Sequence, residues 1–428
     1  MRLHQESLLG ERVYSQTLTS GLQLYLLPKP GFRSIHALLS VGYGSIDRCF
    51  ALPGAEPMSV PDGVAHFLEH RLFSSSLGDV GDRFALLGAE VNAHTTFTNT
   101  AFFFNCTDRL EDCLGLLLGF VRNPSFGAEG VSREREIIAR ELQLYGDNLE
   151  WISFFNVLQA LYGKHPLAVD IAGTPESIQL IDAPLLEFCH RTFYRPDNMT
   201  LIVGGDLAVD SITSVVEGLM AGSTRATGPV LYRHAAAGEP GTVTTATLPI
   251  VLPRLCVGFR DQQEGLQGEV LLKRELALEV VLDILFGSSS DFYLRHYESG
   301  LIDAESFGCE IYAEPEFCFC LVGGDTPEPD TLREEIMDEL TRARAGDLLT
   351  RGFPRAARRA YGQSVQRLDQ VEGGVGALHS SVSRGGDPFG LFSVHRQLAA
   401  EDLHVCLEEV LIPAMGAHSV ILPGGIQE

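Results

Sequence analysis

GVAHFLEHRLF (63–73) is the stretch on which the reading of this chain turns. Pro61 and the candidate N-cap Asp62 stand just before it, so it reads as a helix that begins near Gly63. His66 and His70 are then one turn apart, with both imidazoles on one face, as two nitrogen ligands of a single tetrahedral ion require. Glu69 borders the same face, where it can take a proton from a water beside the metal without ligating.

A catalytic zinc needs a third protein ligand and an open position. SREREIIARELQLYGDN (132–148) reads as a helix in which Ile137, Ile138, Glu141 and Leu142 share a stripe, leaving Glu141 among apolar neighbours. A carboxylate placed there is paired or metal-bound, because an unpaired buried charge is expensive. Glu134, seven residues earlier, shares that face and is placed to accept a proton from a ligand imidazole. The order H-x-x-E-H inverts the commoner zinc-peptidase pair.

Downstream, LLGAEVNAHTTFTNTAFFFNCTD (86–108) alternates as one long strand edge. Such an edge can add a substrate strand beside a metal and hold an extended peptide by its backbone. His94, off the helical pair, reads as a strand residue and not as a ligand.

The 428 residues exceed a comfortable single core, so two domains are the expectation. Lys plus Arg total 32 against 56 Asp plus Glu, a formal charge of −24, which argues against phosphate-backbone binding and so against nucleic acid as a partner. Nine scattered cysteines without a C-x-x-C pair suit free thiols in a reducing compartment, with Cys318 and Cys320 as small hydrophobes on one strand face. MRLHQESLLGERVYSQ lacks the apolar core of a leader, and no long uninterrupted apolar run occurs. A cytoplasmic protein with no membrane partner is expected.

Two segments share a layout. IHALLSVGYGS (35–45) reads as a strand, and its half closes with helix-like PLLEFCHRTFYRP (184–196) and the strand NMTLIVGGD (198–206). PRLCVGFRD (253–261), EDLHVCLEEVLIP (401–413) and HSVILPGG (418–425) repeat that order. A diverged duplication follows, giving two similar α/β halves. ATGPVLYRHAAAGEPGTV (226–243) lacks either period and reads as linker, which divides the chain into residues 1–230, a linker at 231–245, and residues 246–428. GGVG (373–376), RGGDP (384–388) and GSSSD (287–291) read as turns.

HFLEHRLF (66–73), GAEVNAHT (88–95), the E-x6-E of Glu134 and Glu141, HPLAVDIAGTPESI (165–178) and FYRPDNMTLIVGGD (193–206) together resemble the pitrilysin, insulin-degrading enzyme and mitochondrial processing peptidase family, the inverzincins. The resemblance is dense in the first half and thinner in the second. It implies an α+β fold of two similar halves, each an antiparallel-rich sheet flanked by helices, forming one half of a clamshell peptidase. It further implies a zinc metallopeptidase with one Zn2+ per chain on His66, His70 and Glu141, Glu69 as base, Glu134 in support, and Asn92 and Ala93 holding substrate backbone. The second half then lacks the zinc motif.

Active members of that family carry an Arg and a Tyr, seven apart, that stabilise the developing oxyanion. In FYLRHYESGLIDAES (292–306), alignment on Gly300 puts His296 and Asp303 at those positions, with Arg295 and Tyr297 out of register. The departure resembles bacterial two-subunit members, in which a homologous partner supplies the Arg/Tyr pair. A heterodimer is therefore the expectation, with a homodimer as the alternative assembly and a non-catalytic scaffold subunit as the alternative function.

Overall fold

The computed structural model describes the chain apart from residues 53, 76–77, 224–230, 233–237, 239–240, 242 and 425–428. Its backbone gathers into two units. The first holds Met1–Leu144, Val169–Ala235 and Arg367–Ser383; the second holds Tyr145–Ala168, Ala236–Gln366 and Arg384–Glu428.

Seven strands build the sheet of the first unit: β1 (Arg2–Glu6), β2 (Glu11–Thr17), β3 (Gln23–Pro28), β4 (Ile35–Val41), β5 (Glu90–Thr95), β6 (Thr100–Cys106) and β7 (Met199–Gly205). Their spatial order is β1-β2-β3-β7-β4-β6-β5. Only β3 and β7 run parallel. Every residue of β4 is buried. The unbroken burial, instead of an alternation, follows from cover on both faces of the sheet. One face meets the helices α1 (Val64–Phe73), α2 (Leu110–Arg122) and α3 (Ala128–Tyr145) across a core that includes Leu39, Phe102, Phe104, Leu68, Leu117 and Ile138. Burying each of the two phenylalanines contributes about 1.5–3 kcal/mol. The helix Val371–Ser383 packs on β4 and β7.

Five strands form the second unit's main sheet: β8 (Val243–Leu248), β9 (Arg254–Arg260), β10 (Gly308–Glu314), β11 (Phe317–Asp325) and β12 (Ala417–Pro423), in the order β8-β12-β9-β11-β10. Here β8 and β12 are parallel and the other neighbours antiparallel. This is the path of β3-β7-β4-β6-β5, strand for strand and direction for direction, so the fold is α+β with two similar halves. The helix α4 (Leu149–Tyr162) packs on β8, β9 and β12, and α5 (Gly268–Phe286) on β10. Cys318 and Cys320 both lie in this core, and all nine cysteines are free thiols.

The linear division at 231–245 does not account for α4 and the helix Val371–Ser383. Each comes from one half of the sequence and packs on the sheet of the other. Most of the 226–243 stretch read as linker lies outside the described residues.

Two local readings need correction. GGVG (373–376) is not a turn but part of the helix Val371–Ser383. A methyl on Gly374 would come within 2.9 Å of Leu27 Cδ2, so glycine there admits a close helix-on-sheet approach. The single strand read through HTTFTNTAFFFN is a hairpin, β5 and β6, whose turn is closed by Thr96 N donating to Asn99 O at 2.8 Å. Polar turn residues within an alternating stretch hide the reversal. Among the described residues, no helix is long and apolar enough to cross a membrane.

Candidate metal centre

The helix α1 starts where the sequence places it, one residue after Gly63, whose φ is 88°. A Cβ at Gly63 would sit 2.4 Å from Ala172 O, so only glycine lets residues 172–177 close over the helix start. Ser177 Oγ completes that closure by donating to Asp62 O at 2.9 Å. Asp62 does not cap the helix: α1 has no side-chain cap, and the Asp62 carboxylate instead pairs with Arg48 at 2.6 Å.

His66 and His70 share one helix face as the spacing requires, their rings meeting edge to face with centroids 4.5 Å apart. Glu141, reaching in from α3, brings Oε1 to 3.8 Å from His66 Nε2 and Oε2 to 3.4 Å from His70 Nε2. All three residues offer a donor atom within 4.8 Å of the others. Zinc legs of about 2.0–2.2 Å set tetrahedrally put donors roughly 3.4 Å apart. Two imidazoles and a carboxylate at these separations therefore fit one zinc ion. Within the stripe read on α3, Ile138 is fully buried but Ile137 is 48% exposed, because it faces away from the core.

Glu134 is buried, and its Oε1 lies 3.1 Å from His70 Nδ1. That contact turns the other ring nitrogen, Nε2, toward Glu141. Burial disfavours an imidazolium at His70, but the bonds to Glu134 and Glu141 outweigh it and lift its pKa to about 9. His66 moves oppositely, down to about 4, through burial and then through its neighbour His70. Burial opposes the ionised form of Glu134, yet His70 and Arg71 hold its carboxyl below the usual range. Two carboxylates around two imidazoles make this pocket attractive to a cation.

Glu69 is adjacent to the three donors but outside their group. Burial pushes its carboxyl above the ordinary value, while a 2.6 Å hydrogen bond donated by Thr95 Oγ1 to its Oε2 pulls the other way. Thr95 ends β5, the edge strand of the sheet. Asn92 and Ala93 lie on that edge, where the Ala93 N–H donates to Asn92 Oδ1 at 2.8 Å. His94 is exposed on the same strand, 5.7 Å from the Phe103 ring and outside the donor group. Sequence reasoning missed Thr95 and Arg71. Both sit inside the quoted motifs, but only strand pairing and helix packing reveal what they touch.

In the second unit, His296 is buried with Nε2 3.3 Å from Glu335. Asp303 Oδ2 accepts from the Glu305 and Ser306 N–H groups. Arg295 lies 3.8 Å from Glu339, and Tyr297 is exposed.

Two histidines on one helix face beside a carboxylate from a second helix make a candidate metal centre of two imidazoles and one carboxylate. The chain belongs to peptidase family M16. Residues 57–175 match Insulinase (Peptidase family M16), and residues 181–357 match Peptidase M16 inactive domain. The protein of Bacillus subtilis (strain 168) named uncharacterized zinc protease YmfH is 36% identical over 406 residues, 94% of both chains. A crystal structure of an M16-like peptidase from Alicyclobacillus acidocaldarius shares 32% identity at a TM-score of 0.93, covering 97% of this chain and 99% of that one. A protease structure from Helicobacter pylori shares the fold, with a TM-score of 0.83 at 18% identity over 96% of this chain and 100% of that one.

Proposed function

We propose that this chain is a zinc endopeptidase, with His66, His70 and Glu141 holding the metal and Glu69 as general base. The observation that carries the reading is the convergence of those three donors within 4.8 Å of one another. A zinc ion bound there supplies Lewis acidity for the scissile carbonyl and acidifies a water. The chain's own residues do the rest. Glu69, held by Thr95, accepts the water's proton and returns it to the leaving amine. Its raised pKa makes it a better proton acceptor than an ordinary carboxylate. Glu134 fixes the His70 tautomer. Edge strand β5 takes up an extended peptide by backbone pairing, with Asn92 and Ala93 as the contact pair.

We further propose that cleavage occurs in a chamber formed with a homologous partner subunit that supplies the Arg/Tyr pair. His296 and Asp303, at the corresponding positions here, are engaged in local contacts of their own. The nine free thiols support a cytoplasmic setting.

Zinc content and cleavage of quenched-fluorescent peptides, for the wild type and Glu69→Gln, test this reading. One zinc per chain in both proteins, with cleavage lost in Glu69→Gln, is the expected result. A wild-type chain without zinc or cleavage, alone or with extract of the source cells, refutes it and leaves the scaffold role.

A further inference from the structure

The catalytic assignments leave Arg71, a buried cation next to the metal-ligand pair, without a role. Arg71 follows His70 directly and is 7% exposed; its two terminal nitrogens find partners, while the buried Nε has none. Nη1 donates to Glu134 Oε2 at 3.4 Å, and Nη2 donates to Ser125 O at 2.9 Å and Ser74 O at 3.5 Å. Ser74 Oγ donates to the same Glu134 Oε2 at 3.3 Å. One oxygen of the Glu134 carboxylate is thus held by two donors, while the other faces His70 Nδ1 at 3.1 Å. α3 lies directly against the guanidinium, since a methyl on Gly130 would stand 2.8 Å from Arg71 Nη2.

We propose that Arg71 is a positioning residue of the metal centre, clamping Glu134 so that its second oxygen fixes the His70 ring with Nε2 toward the ion. The proposal rests on the metal-centre reading above. A carboxylate hydrogen-bonded through one oxygen only can rotate about its terminal torsion, and the imidazole it orients then loses its fixed angle. Arg71 removes that freedom. Its other two bonds tie the clamp to the segment that follows α1 and to the connection leading into α3, the helix that carries Glu141. One side chain therefore links the two helices that deliver the ligands.

A purely structural Arg71 would only offset the buried charge of Glu134, and its loss would lower stability without changing zinc affinity in the folded protein. Zinc affinity measured by competition with a chelating dye separates the two roles, with circular dichroism confirming the fold of each variant. Arg71→Met is expected to weaken zinc binding roughly tenfold or more, with Arg71→Lys recovering part of the loss. In a Glu134→Gln background the same Arg71→Met change is expected to have little further effect, because both act through one carboxylate. Gly130→Ala, which displaces the guanidinium and keeps its charge, supplies a second test with the same expected direction should Arg71→Met fail to fold. Affinity unchanged in the folded Arg71 or Gly130 variants overturns the proposal, as does a full loss that persists in the Glu134→Gln background. A wild-type chain that takes up no zinc overturns the metal centre itself, and this proposal with it.

Discussion

Thr95 Oγ1 donates a 2.6 Å hydrogen bond to Glu69 Oε2, joining the end of the edge strand to the candidate base on α1. The bond links the place where a peptide strand would lie to the carboxylate proposed as the base. It also holds the carboxylate in one rotamer, which a base needs to meet its proton at hydrogen-bonding distance. Thr95→Val is expected to lower kcat about tenfold with KM little changed, and Thr95→Ser to keep most of the rate. Steady-state kinetics on a fluorogenic peptide check this, and equal rates for the valine and wild-type proteins would count against the role of the bond.

Glu141 is the only one of the three donors that comes from α3. Glu141→Ala leaves two imidazoles on one helix turn, a ligand set too small for tight zinc binding. Zinc retention after dialysis is expected to fall from one ion per chain to a small fraction, and cleavage with it. For the wild type, chelator treatment should abolish cleavage and added zinc should restore it. Stoichiometric zinc in Glu141→Ala would move the third ligand elsewhere.

His296 and Asp303 occupy the positions where an oxyanion-stabilising Arg and Tyr are expected. Removal of one such donor typically costs about 100- to 1,000-fold in kcat. If the proposed homologous subunit supplies that pair, the isolated chain is expected to cleave peptides slowly, with a rise of at least that order when such a subunit is added. Cleavage rates with and without that subunit, combined with sedimentation of the mixture, decide the matter. Full activity of the chain alone would remove the need for a partner.

Phe102 is fully buried and meets Phe73 at the end of α1, Phe120 on α2 and Tyr194. Phe102→Ala is expected to cost about 3–5 kcal/mol, measured by urea denaturation. Because Phe73 lies three residues beyond His70, the cavity should also loosen the zinc site. A loss below about 1 kcal/mol would show that the site collapses without penalty.

His395 in the second unit accepts or donates at Nε2 to Ser364 Oγ at 2.9 Å, and burial depresses its pKa to about 4. The unfolded chain binds this proton more readily than the folded one, so stability is full above the ordinary histidine pKa and declines as pH falls from about 6.5 toward 4. His395→Gln should flatten that part of the stability curve, read as urea midpoints at several pH values. An unchanged slope would assign the acid sensitivity to other groups.

Local spacing alone determined the candidate base and the donor pair on α1, because residues four apart on a helix must share a face. Strand and helix order likewise disclosed the duplication, since alternation and helical period are properties of short windows. Tertiary structure alone decided the rest. The turn between β5 and β6 lay hidden in an alternating stretch. Ile137 left the buried stripe because the core covers only part of α3. α4 and the helix Val371–Ser383 packed on sheets from the other half of the sequence, a choice no local pattern encodes. Arg71 and Thr95 gained their partners only when helices and an edge strand far apart in sequence met, because hydrogen bonds to a buried carboxylate are set by packing and not by spacing.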